Sequence, residues 1–260
     1  MKLHIFQADA FAASLFKGNP AAVVPMSTWL PDETMQQIAA ENNLSETAFF
    51  IPENDHYHIR WFTPKSEVAL CGHATLATAH ILFNELNHPG ESISFNSKSG
   101  MLIVRKINDK LQLDFPADIV QPVESNPLFT QALGIEALAT FKGRTDYLLL
   151  FESEEIIRQM KPDFQLLYQT SARGIMVTAK GNEVDFVSRF FAPGVGIDED
   201  PVTGSAHTSL VPFWSARLNK TQLTALQLSA RGGQLWCTLS GNRVLIAGHA
   251  VTYLKGEIEI

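Results

Sequence analysis

The spacing of apolar side chains changes period several times along the chain, and each change marks an element. Residues 2–7 alternate weakly and predict a strand, followed by a loop over 9–16 that runs into the turn Gly18-Asn19-Pro20 and a short apolar strand at 21–24. Pro31-Asp32-Glu33 opens a helix reaching about residue 41, with its proline and acids where a first turn accepts them. Strands are predicted at 48–51 and 57–62, the second closed by Pro64. An amphipathic helix follows over 73–86, its first two turns crowded with small residues. Three strands come next, at 92–96, 101–106 and 111–115.

The polar, proline-bearing segment 116–127 predicts a linker. Beyond it the pattern predicts short helices at 128–133, 153–159 and 163–169, with strands at 147–151, 174–179 and 184–191. A helix over 203–218, containing Pro212, leads to strands near 226–229, 234–239, 243–247 and 251–254.

Two stretches say nearly the same thing. RWFTPKSEVALCGHATLATAH, from Arg60 to His80, is matched by RFFAPGVGIDEDPVTGSAHTSL, from Arg189 to Leu210. Each ends a strand on an Arg-aromatic-Phe-small-Pro run, crosses a loop, and enters a helix at a glycine; the second loop is three residues longer. The Gly-led hairpins at 97–117 and 229–250 match as well. A repeat this long means two similar domains, not a solenoid. We place them at 1–118 and 119–260, the C-terminal strand being free to pack on the first. The class is α+β: two pseudo-repeat domains, each a mixed or antiparallel sheet wrapped around a central helix, with the active site expected in the cleft between them.

Composition narrows the function classes. Hydrophobic residues at 45% with charged residues at 18% describe a folded chain. A net charge of −7, with no run of Lys and Arg, argues against a nucleic-acid partner. No apolar run is long enough to span a bilayer, so no membrane partner is expected. The N-terminus lacks the apolar core and cleavage site of a signal peptide. Cys71 and Cys237 form no redox or metal-like pair, and a cytoplasmic protein with reduced thiols is the expectation.

The candidate chemistry gathers at the two helix starts. A helix N-terminus leaves amides unpaired and carries a partial positive charge. Gly72-His73 and Gly204-Ser205 offer such amides behind small residues, suited to a carboxylate or a developing enolate; alternatively the small residues serve only close packing. Glu46 enters an apolar strand, where burial would lift a carboxyl toward the working range of a general base; it could equally be a strand-end acid. Asp200, four residues before Gly204, is either an acid-base group or a cap of its helix. His73 could shuttle protons, bind an anion, or be structural. Asp198 and Glu199 read as solvated loop acids. His73 and His80 share a helix face, but no third residue completes a metal-ligand spacing, so no metal site is expected. Ser205 and His207 lack the Gly-x-Ser-x-Gly of a nucleophile elbow. Cys71 reads as a small buried residue, with a thiol base as the alternative.

These residues carry a resemblance. Asp9-Ala10-Phe11, the run from Gly18 to Val24, Asn43-Leu44-Ser45-Glu46-Thr47, Arg60-Trp61-Phe62-Thr63-Pro64, Glu67 with Cys71-Gly72-His73-Ala74-Thr75, and Asp200-Pro201-Val202-Thr203-Gly204-Ser205-Ala206 together resemble the PhzF-like family, whose fold is that of diaminopimelate epimerase. The resemblance implies acid-base catalysis without a cofactor, and a homodimer. It implies Glu46 as the catalytic acid-base, His73 and Asp200 as its catalytic partners, and Asn19 as a polar group at the substrate. Cys71 and Thr203 align where the epimerases carry two catalytic cysteines, so a symmetric thiol pair is missing. The expectation is therefore an isomerase that shifts a proton on a small carboxylate-bearing, amino-acid-like or cyclic substrate. The alternative is a non-catalytic protein that binds a small metabolite in the same place.

Overall fold

The computed structural model describes residues 1–260. It divides into two units, residues 1–114 with 247–260, and residues 115–246.

The first unit contains β1 (Lys2–Ala10), β2 (Asn19–Pro25), α1 (Asp32–Asn42), β3 (Glu46–Glu53), β4 (His56–Phe62), β5 (Glu67–Val68), α2 (Gly72–Asn84), β6 (Ser92–Ser97), β7 (Gly100–Ile107) and β8 (Lys110–Pro116). The C-terminal strand Ala250–Glu259 lies antiparallel to β1, which pairs antiparallel with β2 on its other side. From β2 the sheet continues parallel to β3, antiparallel to β4, parallel to β6, then antiparallel through β7 to β8. Short β5 folds back antiparallel on the end of β4.

The sheet wraps α2, which packs against β1, β2, β3, β7 and the C-terminal strand. Residues 73–79 are buried in unbroken succession, so this stretch of helix presents no face to solvent. Small side chains make that possible. The hydroxyls of Thr75 and Thr78 donate to the carbonyls of Cys71 and Ala74, at 2.5 and 2.7 Å, which satisfies them without water. On the outer side, α1 lays Met35, Ile38 and Ala39 against Ala22, Val24, Phe49 and Phe62. Asn43 ends α1 in the left-handed conformation, φ 49°, which asparagine tolerates better than most residues.

The second unit contains β9 (Gln121–Val123), α3 (Pro127–Leu133), β10 (Ala139–Lys142), β11 (Tyr147–Leu150), α4 (Glu154–Gln159), α5 (Phe164–Gln169), β12 (Ile175–Lys180), β13 (Phe186–Ala192), β14 (Ile197–Asp200), α6 (Gly204–Leu218), β15 (Gln222–Gln227), β16 (Gly233–Ser240) and β17 (Arg243–Gly248). Antiparallel β9, β10 and β11 lead to parallel β12, antiparallel β13, parallel β15 and antiparallel β16. Short β14 folds back on β13. This is the pairing sequence of the first unit, with β10 to β16 answering β1 to β7 and α6 answering α2. Inside it, Trp214 of α6 donates its indole N–H to the Thr178 hydroxyl at 2.9 Å and stacks on Phe186.

The architecture is thus mixed α+β with six α-helices. Three details depart from the apolar pattern. The strand expected at 226–229 is β15, earlier by several residues, with Leu223, Ala225 and Gln227 facing inward. Strands β5, β9, β10 and β14 are not signalled by alternation, and β9 lies inside the segment 116–127 expected to be a linker. Glu199 is not a solvated loop acid: it grips the Arg189 guanidinium with both oxygens, at 2.7 and 2.9 Å. No helix is long and apolar enough to cross a membrane.

Candidate active site

In the first unit, four residues from three separate sequence segments meet at the start of α2. Asn19 is the first residue of β2, and Glu46 is the first of β3. The parallel pairing of these strands sets Glu46 beside Ala21, two residues beyond Asn19. Cys71 and His73 flank Gly72, where α2 begins. His73 Nε2 stands 3.1 Å from Glu46 Oε2, and its Nδ1 faces Asn19 Nδ2 at 3.2 Å and Cys71 Sγ at 3.5 Å. Asn19, Cys71 and His73 are buried, and 13% of the Glu46 side chain reaches solvent.

Local backbone places Asn19. The loop between β1 and β2 turns at Phe11, Phe16 and Gly18, which all have positive φ. Buried Asp9 accepts the Phe16 amide at 2.8 Å and so fixes the turn. Gly18 has φ +65°, and a β-carbon there would meet the Ala10 carbonyl oxygen at 2.1 Å. Only glycine lets the chain double back tightly enough to start β2 at Asn19.

The electrostatics of the cluster favour charge on the imidazole. Burial alone would lower His73, but its neighbours Cys71 and Glu46 more than offset burial, and the imidazole is raised well above its ordinary value. Burial, reinforced by Glu46, pushes the Cys71 thiol up to about 11. At neutral pH, Cys71 is therefore a thiol. Glu46, Cys71 and His73 are also the donors a metal ion would use. One donor atom from each of the three lies within 4.8 Å of the others.

The helix amides complete the arrangement. Cys71, the residue before α2, makes no side-chain cap, and Thr75 N–H is the first amide to bond back, to Cys71 O at 3.3 Å. Gly72 thus stands at an uncapped helix start carrying partial positive charge.

The second unit holds Asp200, Gly204 and Ser205 together at the start of α6. Asp200 accepts the Thr203 hydroxyl at 2.5 Å. Thr203 spends its hydroxyl there and gives no side-chain cap to α6. His207 bonds through Nδ1 to the Thr203 carbonyl at 2.9 Å, as Thr75 bonds to the equivalent Cys71 carbonyl. Gly204 is buried and Ser205 exposed. One contributor is absent from the sequence reading: Gln227, 1% exposed, accepts Thr203 N–H at 2.9 Å and donates to Asp200 O at 2.8 Å. Its signal was available, as a glutamine in phase with Leu223 and Ala225 on the inward face of its strand.

The family model described as phenazine biosynthesis-like protein, PhzC-PhzF, matches residues 8–256. This chain belongs to the PhzF family. It is 54% identical over its whole length to an uncharacterized isomerase of Pseudomonas aeruginosa, itself covered completely. A crystal structure of a PhzF-family phenazine biosynthesis protein from Enterococcus faecalis superposes with a TM-score of 0.97, at 47% identity and complete coverage of both chains. A hydroxyproline epimerase from Agrobacterium vitis shares the fold, with a TM-score of 0.64 over 99% of this chain and 92% of that one, at 10% identity. Full-length relatives at half identity or more are named isomerases, and the PhzF-family chain described here is an enzyme of that class.

Proposed function

We propose that this PhzF-family member shifts a proton between nearby atoms of a small, carboxylate-bearing, amino-acid-like or cyclic substrate. Glu46 takes the proton from carbon, the C–H pair of electrons moves into the adjacent π-system, and the new Glu46 carboxylic acid returns the proton at a second position. Proton and electron pair both remain in the product, so no redox partner is required. The observation that carries this reading is the 3.1 Å contact between Glu46 and a buried His73 that favours its charged form. A His73 N–H facing the carboxylate orients it, and the imidazole can stabilise negative charge developing on the substrate.

Asn19 faces the imidazole from the Nδ1 side, with its Nδ2 3.2 Å away. The Gly72-His73 helix start is suited to the substrate carboxylate or an enolate oxygen. Asp200 is assigned as an assisting acid, with Gly204 and Ser205 as anion-holding groups, on the strength of the doubled helix start. The test is solvent-deuterium incorporation into candidate carboxylates, followed by mass spectrometry, with wild type and Glu46→Gln. Turnover and label uptake by wild type, both lost in a folded Glu46→Gln, are expected. Equal turnover by the two would overturn the assignment. Tight binding of one metabolite that neither protein changes would instead favour a binding role.

A further inference from the structure

The repeated stretch contains a feature that proton chemistry does not use. Arg60 donates Nε to Glu67 Oε1 at 2.8 Å and Nη2 to Oε2 at 2.9 Å. Arg189 donates Nε to Glu199 Oε1 at 2.7 Å and Nη2 to Oε2 at 2.9 Å. The same atoms pair in both units, although the second loop is longer. All four side chains are less than 20% exposed. Each arginine also lies over the phenylalanine two residues on, Phe62 or Phe191.

We propose that these two pairs are positioning clamps for the helix starts, and that Arg60 and Glu67 set the geometry of His73 against Glu46. This rests on the reading of Glu46 and His73 as the reacting pair. The loop from Thr63 to Leu70 buries no side chain fully, so apolar packing does not fix it. What fixes it is polar. Thr63 closes a turn on Ser66, Ser99 holds the Ala69 carbonyl, and the Arg60–Glu67 fork ties β5 to the end of β4, four residues before Cys71. In the second unit the gripped Glu199 directly precedes Asp200, and Arg189 also binds the carbonyls of Ile157 and Met160. A half-buried ion pair contributes little to stability, because solvent screens it and two long side chains must be ordered. A bidentate fork, however, fixes distance and angle together. Its presence in both units, across unequal loops, points to geometry as its task.

The test replaces the pair by apolar side chains, Arg60→Met/Glu67→Met, in the full chain. Both charges leave together, so a change at His73 reports displacement rather than lost net charge. The His73 imidazole is followed by NMR titration, with circular dichroism and a thermal melt as fold controls. The expected result is a folded protein whose His73 midpoint falls by about one unit as the Glu46 contact loosens. A folded double variant with the wild-type His73 midpoint would overturn the proposal. Should the double variant not fold, Arg60→Lys decides: it keeps the charge but loses the fork, and a lowered midpoint supports the clamp while an unchanged one sinks it. The readout does not depend on turnover. If Glu46→Gln left catalysis intact, the functional reading would fail while a shifted His73 midpoint would still report the clamp.

Discussion

Glu46 Oε2 lies 3.1 Å from His73 Nε2, although the two residues come from a strand start and a helix start in different parts of the sequence. The pair makes the state of the imidazole depend on the carboxylate. His73 is raised above its ordinary value by Cys71 and Glu46, despite full burial. Glu46→Gln removes one of the two neighbours that raise the imidazole, and the His73 titration should fall. Turnover should drop by roughly 10²–10⁴-fold, the usual contribution of a positioned acid-base group. An NMR titration and a rate measurement on the same preparation check both.

The linkage has a definite sign. A histidine raised in the folded state contributes stability that is fully present below its unfolded value, near 6.5, and is lost as pH rises through the folded value. His207 works in the opposite direction. Burial holds it down to about 4, from 6.5, while its Nδ1–H donates to the Thr203 carbonyl. Between those values the unfolded chain binds the extra proton, so stability rises with pH across that window and is lost as pH falls. The full effect is on the order of 3 kcal/mol. His207→Asn, which can keep the donor to Thr203, should flatten the dependence of unfolding free energy on pH between 4 and 6.5. Denaturant melts at several pH values, compared with wild type, measure the difference.

The cysteines should be inert in the folded protein. Burial pushes Cys71 up to about 11 and raises Cys237 as well, so neither supplies thiolate at neutral pH. Alkylation at pH 7 should be slow for both and become fast on unfolding. Cys71→Ser should keep most of the turnover, because the assigned proton path runs through Glu46. A loss comparable to that of Glu46→Gln would make the thiol a second acid-base group.

Much of this was legible in the sequence, for stated reasons. The long helices announce themselves through glycine-led starts and small residues, and the doubled Arg-to-Gly stretch reports the doubled strand order. Asn19, Glu46 and His73 were each named as candidates, but their convergence needs the parallel pairing of β2 with β3, which no local pattern encodes. The elements that were missed are those held by specific partners rather than by apolar periodicity. Strand β14 reads Ile-Asp-Glu-Asp and exists because its backbone pairs with β13 while Arg189 takes Glu199. Strand β15 was placed too late because Gln227, polar by type, is an inward residue whose amide serves Thr203 and Asp200.

Gly18→Ala tests how the site is assembled. The added β-carbon would meet the Ala10 carbonyl oxygen, and the residue would hold φ +65° against its preference. A loss of at least about 1 kcal/mol is expected. Since Asn19 is the next residue, the His73 titration should move too. Gly134→Ala, also at positive φ but with nothing within 4 Å of its β-carbon, separates backbone strain from the close approach at Ala10. Equal losses in the two variants would show that the contact with Ala10 adds nothing.

Asp200 can be separated into cap and acid by two substitutions. Its carboxylate accepts the Thr203 hydroxyl at 2.5 Å, and an asparagine carbonyl can accept the same bond. Asp200→Asn therefore keeps the contact at the start of α6 and removes the charge. The cost to stability should be no more than about 1 kcal/mol, from the lost interaction with the helix dipole. Thr203→Val does the reverse, removing the hydroxyl and leaving the carboxylate. If Asp200 assists the proton shift, Asp200→Asn should lose about 10²-fold or more in rate with a nearly unchanged melting temperature. Thr203→Val should lose stability first and rate much less. An Asp200→Asn protein that turns over like wild type would leave Asp200 as a structural partner of Thr203 and Gln227, and would confine the chemistry to Glu46 and His73.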